Sequence, residues 1–114
     1  MDFDVKREDY IDVNDAVNRI GGNMDLYKRL LGRFVDGNHY ETLTAAIQSG
    51  DTEEAIHLAH TLKGVSANLS LVSVRTITTD LEHCLKEGID YNSLLTELEL
   101  AYNTTVEMIS EIIG

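Results

Sequence analysis

No proline occurs in this chain of 114 residues, and its glycines fall mostly between stretches of helical periodicity, so glycine alone punctuates it. That restricts the fold to helices joined by short turns. Val13, Ala16, Val17 and Ile20 keep the i, i+3, i+4, i+7 spacing of one helical face and predict a short first helix ending at Gly21-Gly22. Asn23 is the expected cap of a second helix, whose apolar positions Leu26, Leu30, Phe34, Leu43, Ala46 and Ile47 run to about Ser49, with a bend or fray at Gly37-Asn38. Asp51, with Glu54 three residues on, resembles a capping box and opens a third helix that runs to about Leu69. Ser70 is the expected cap of a fourth, in which Val74, Ile77, Thr78, Leu81, Cys84 and Leu85 repeat at helical spacing until Gly88. A fifth starts at Asp90 or Asn92 and carries Leu95, Leu98, Tyr102, Thr105, Ile109 and Ile112 on one side. No strand pattern competes. Four long helices with short connections must each turn back on the one before. The prediction is a single all-α domain over 1–114, an antiparallel up-down-up-down four-helix bundle with a short additional N-terminal helix.

Charge narrows the partners. Twenty acidic against nine basic side chains give a formal charge of -11, which repels a phosphate backbone, so neither nucleic acid nor an anionic membrane is an expected partner. The longest uncharged run, Gly64 to Val74, is far shorter than the roughly 18 apolar residues of a membrane helix. The N-terminus is charged from Met1 to Arg7, where a secretory signal has its apolar stretch, and Cys84 has no disulfide partner, so a cytoplasmic protein is expected. The start at Met1 with a complete bundle allows a stand-alone protein. Cys84 is read as a small core residue, His39 and His83 as solvated, and Tyr27, Tyr40, Tyr91 and Tyr102 as bridging core and surface.

The third helix is the informative one. At about 100° per residue, Ala55, Leu58, Ala59, Leu62, Val65, Ser66 and Leu69 form one apolar stripe of core-facing width. Opposite lie Glu53, His57, His60, Gly64, Ala67 and Asn68, with Lys63 on one flank and Thr61 on the other. Gly64 stands one turn above His60 and leaves the space over the imidazole open; a glycine inside a helix costs about 0.5 to 1 kcal/mol, and access to His60 is a reason to bear that cost. Lys63 is three residues from His60, and only Lys63, Arg75 and Lys86 among the basic residues lie beyond Arg33. On the fourth helix Arg75, Thr79, Glu82 and Lys86 share a flank beside the apolar stripe, and that flank can face the same groove.

The string Ala59-His60-Thr61-Leu62-Lys63-Gly64 resembles the phosphoacceptor motif of histidine-containing phosphotransfer (HPt) domains. The stretch Ile20 to Phe34, Gly50-Asp51 and Leu81-Glu82 are similar to the family as well. The resemblance implies a four-helix bundle that relays phosphate between response-regulator aspartates. In it His60 is the phosphorylated residue, Lys63 lies beside the phosphoryl group and Gly64 opens the approach. Glu82 falls where a glutamine or other polar residue often contacts the histidine, and Lys86 follows one turn later. Ile56, His57, Thr61, Ala67 and Asn68 are the candidates for docking. The implied partners are receiver domains and a hybrid sensor histidine kinase. The implied carrier is a monomer that needs no cofactor of its own, with Mg²⁺ expected on the receiver. The family usually has a glycine six residues after Gly64, where this chain has Ser70.

No GxxxxGK[ST] loop or glycine-rich kinase loop occurs, so the chain is read as a carrier and not as a kinase. The rival chemistry is a metal site, since Glu54-Ala55-Ile56-His57 has Glu-x-x-His spacing and His57 with His60 forms an HxxH pair. Such ligands project into a bundle core, whereas His57 points away from the apolar stripe and no second Glu-x-x-His exists, so no metal is expected. The closer alternative is a receiver-binding interaction module of the same fold without phosphotransfer.

Overall fold

Side-chain caps start the helices where the sequence places acceptors. Asp12 Oδ1 accepts from Asp15 N–H at 3.0 Å, Asn23 Oδ1 from Leu26 N–H at 3.0 Å, and Asp51 Oδ1 from Glu54 N–H at 3.1 Å. The computed structural model describes residues 7–114, so the charged lead as far as Lys6 lies outside the described residues. Every element described is helical: α1 (Arg7–Tyr10), α2 (Val13–Arg19), α3 (Met24–Asp36), α4 (His39–Gln48), α5 (Thr52–Asn68), α6 (Val72–Glu87) and α7 (Asn92–Ile113). Connections of three or four residues join α4 to α5, α5 to α6 and α6 to α7, and each of these helices packs antiparallel on the one before. The α7 helix packs back on α3 and closes the bundle, while α2 lies on α3, and α1 touches α6 and α7.

The α5 stripe faces inward as its spacing requires. Ala55, Ala59, Leu62, Ser66 and Leu69 are buried, with Leu58 and Val65 half-buried at its edges. They meet Leu31, Phe34 and Leu43 of α3 and α4, Leu81 and Leu85 of α6, and Leu98 and Ile109 of α7 in one core. No helix among the described residues is long and apolar enough to cross a membrane.

The structure corrects the sequence in four places. The expected second helix is two, because Asn38 takes a left-handed conformation with φ of 50° and breaks the backbone between Asp36 and His39. His39 is not solvated: its half-buried ring stacks on Phe34 with centroids 5.2 Å apart and lies so close over Gly37 that a Cβ there would be 2.7 Å from Nε2. Tyr27 and Tyr102 are buried outright, and the Tyr27 hydroxyl donates to Leu69 O at 2.9 Å. Ser70 does not cap α6, whose N-cap position is Leu71 and which has no side-chain cap. It instead ends α5 in a Schellman turn, with Leu71 N–H donating to Ser66 O at 2.8 Å and Ser70 N–H to Ala67 O at 3.2 Å, and this requires the positive φ of 54° at Ser70. The Ser70 hydroxyl lies 2.6 Å from Asp15 Oδ2, which ties the turn to α2.

Candidate functional site

The site is built from the outer face of α5 and one flank of α6. The cap at Asp51 and the Schellman turn after Asn68 fix both ends of α5, which leaves His60 near its middle with its side chain 66% exposed. Across from it Glu82 of α6 is buried, with only 5% of its side chain exposed, and three donors converge on its two oxygens. Lys63 Nζ lies 2.6 Å from Oε1; Lys86 Nζ and His60 Nδ1 each lie 3.1 Å from Oε2. Burial pushes the Glu82 carboxyl up, but hydrogen bonds from Lys63, Lys86 and His60, with the Lys63 charge, outweigh it and hold the group at about 2. Glu82 is therefore ionised at neutral pH.

An ionised carboxylate only accepts hydrogen bonds, so the shared proton is assigned to Nδ1 of His60 and the Nε2 lone pair is left on the exposed ring edge. The imidazole is thereby held in the tautomer that can attack from Nε2. Lys63 and Lys86 also bring two ammonium groups to this spot, in a chain whose formal charge is -11. That suits an anion delivered to the ring. Gly64 is exposed, and a Cβ built on it meets nothing within 4 Å, so the glycine opens onto solvent and is not packed under another helix.

The remaining expected residues divide by place. Ile56 and His57 line a hollow of about 400 Å³ together with Glu53, His60, Glu82 and Lys86. Thr61 is exposed, with its hydroxyl donating to His57 O at 3.1 Å. Ala67 is half-buried, and Asn68 lies exposed at the far end of α5. On α6, Arg75 and Thr79 do not join the cluster, and the Thr79 hydroxyl turns back to Arg75 O at 2.8 Å. Glu54 and His57 are exposed, outside the bundle core where the rival metal site would need them, and no group of three or more His, Cys, Asp or Glu side chains able to hold a metal occurs among the described residues. Cys84 is half-buried at the edge of its stripe. Sequence reasoning missed the links from Asp15 to Ser70 and from Arg19, its i, i+4 partner within α2, to Ala67 O at 3.3 Å. No helical period carries such a contact between distant turns.

Neither the curated proteins nor the solved structures contain a match to this chain. The family model described as the Hpt domain matches residues 36–110, from the last residue of α3 into α7, and so includes His60, Lys63, Gly64, Glu82 and Lys86. With about two thirds of its length matched, including both helices of the His60 site, the chain belongs to the Hpt domain family, the histidine phosphotransfer domains of phosphorelays.

Proposed function

We propose that this protein accepts a phosphoryl group on His60 Nε2 from the aspartyl phosphate of one receiver domain and returns it to the aspartate of another. The observation that carries the reading is the hydrogen bond from Nδ1 to an ionised, buried Glu82. The Nε2 lone pair forms the N–P bond as the P–O bond to the aspartate breaks, and the aspartate leaves as a carboxylate. The ring becomes a phosphoimidazolium whose Nδ1–H stays on Glu82, so the new positive charge forms beside a fixed negative one and no proton has to move. Transfer onward reverses these steps.

Positioning and charge do most of the work in such a loose, in-line displacement. Lys63 and Lys86 fix Glu82 and offset the charge of the arriving phosphoryl group, while the Mg²⁺ that offsets it further belongs to the receiver. Gly64 admits the receiver to the ring, and Ile56, His57, Thr61, Ala67 and Asn68 surround the point of contact. A hybrid sensor histidine kinase is the expected source of one receiver, and the protein acts in the cytoplasm as a monomeric carrier. Phosphorus and nitrogen NMR of the labelled protein tests the chemistry. Phosphate on Nε2 with a proton on Nδ1 is the expected result, and phosphate on Nδ1 would overturn it.

A further inference from the structure

Lys63 and Lys86 hold Glu82 in different ways. Lys63 has Oε1 to itself at 2.6 Å, with a side chain 32% exposed. Lys86, one turn beyond Glu82 on α6 and 54% exposed, meets Oε2, the same oxygen that His60 Nδ1 meets. Both donors lie 3.1 Å from it, so ammonium and ring nitrogen stand no more than about 6 Å apart and draw on one acceptor. Other charges around His60 are few. Its own helix supplies Glu53, His57 and Lys63, α6 supplies Glu82 and Lys86, and no residue of α4, which also packs on α5, lines the hollow. Arg19 of α2 reaches α5 at Ala67, about two turns away.

An oxygen shared by two donors pulls less on each, and a cation this close to an imidazole disfavours a second proton on the ring. That second proton matters, because Nε2 can attack phosphorus only while its lone pair is free. Without Lys86 the ionised Glu82 would draw on Nδ1–H undivided and favour protonation of Nε2 at a higher pH. We propose that Lys86 is a positioning residue that restrains Glu82 through the shared oxygen and so sets the pH below which His60 is closed to phosphate. Lys63, on the other oxygen, holds the carboxylate without this competition. The use of such a limit in phosphate transfer rests on the relay reading above, while the coupling of Lys86 to the ring does not.

The test is the titration of the His60 ring, which needs no receiver. Ring signals from NMR, assigned by their loss in His60→Gln, are followed against pH in the wild type, Lys86→Met, Lys86→Arg and Arg75→Met. Lys86→Met keeps the stem and removes the charge, and its midpoint should rise by about half a unit, the effect of one charge at about 6 Å in water. Lys86→Arg should restore the wild-type midpoint, and Arg75→Met, outside the cluster, should leave it in place. A merely structural lysine would change the melting temperature and not the midpoint. A midpoint that stays in Lys86→Met, or moves equally in Arg75→Met, overturns the coupling. Labelling of His60 by phosphoramidate, a small phosphoryl donor, should follow a pH profile whose acid limb shifts with the midpoint. A limb that stays while the midpoint moves overturns the limit on phosphate acceptance. If the midpoint moves yet a phosphorylated receiver transfers nothing to the wild-type chain, the relay reading fails and the coupling stands; if transfer occurs and the midpoint stays, the coupling alone fails.

Discussion

Glu82 binds the site together, and its position shows what helical spacing can and cannot reveal. His60, Lys63 and Gly64 were legible because they are consecutive turns of one helix, where residue spacing fixes relative direction. Spacing put Glu82 on the flank that can face the groove, but its contact with the histidine rested on resemblance, because spacing gives an angle around α6 and not the depth at which α5 covers it. Its ionisation has a consequence for stability. A carboxyl held at about 2 rather than 4.5 contributes on the order of 3 kcal/mol at neutral pH. Because the folded value is depressed, that contribution is full above about pH 4.5 and is lost as the pH falls towards 2. Glu82→Gln should therefore be less stable at pH 7, with the gap to wild type closing through this window in urea melts; parallel profiles would mean the carboxylate is not held as described. The same variant should slow transfer about 10- to 100-fold, since a charge-assisted hydrogen bond is worth about 1.5 to 3 kcal/mol and an amide can present either donor or acceptor to Nδ1.

The helices themselves were legible from period and caps, and their ends were less so. Asn23 and Asp51 cap as expected because an acceptor at the start of an apolar period has one good use. The division at Asn38 was visible only as a weak point, since Leu26, Leu30 and Phe34 before it and Leu43, Ala46 and Ile47 after it keep apolar faces that a bend or a break would serve equally. Ser70 was misread because serine commonly caps helices, whereas here the previous helix's Schellman turn sets its backbone. The usual family glycine at this position is explained by the same left-handed φ. Ser70→Gly should relieve that conformation but lose the bond to Asp15, two effects of about 1 kcal/mol each that nearly cancel. Ser70→Ala keeps the conformation and loses the bond, so in thermal melts it should be the less stable of the two; equal stabilities would remove the role given to backbone conformation. On the outer face of α5, Gly64→Leu should hold or raise the melting temperature, because the glycine faces open space, while transfer from the receiver collapses. A variant that transfers at the wild-type rate would show that Gly64 does not serve access.

The assembled bundle places an exposed His60 on the outside of an acidic protein and keeps the Glu82 carboxylate that it meets inside. The antiparallel arrangement was readable from connection lengths alone. Packing of α2 and α3 against the bundle was not, because it brings Arg19 and Ile20 to Val65 and Leu69, residues far apart in sequence whose meeting no local pattern records. The central claim is that this surface passes phosphate through one nitrogen of one histidine. Incubation with a phosphorylated cognate receiver measures it directly: the wild-type chain should gain acid-labile, base-stable phosphate, His57→Gln should keep most of it, and His60→Gln should lose it with its helical circular dichroism intact. Label that persists without His60, or a folded wild-type chain that binds the receiver and accepts nothing, would contradict the account.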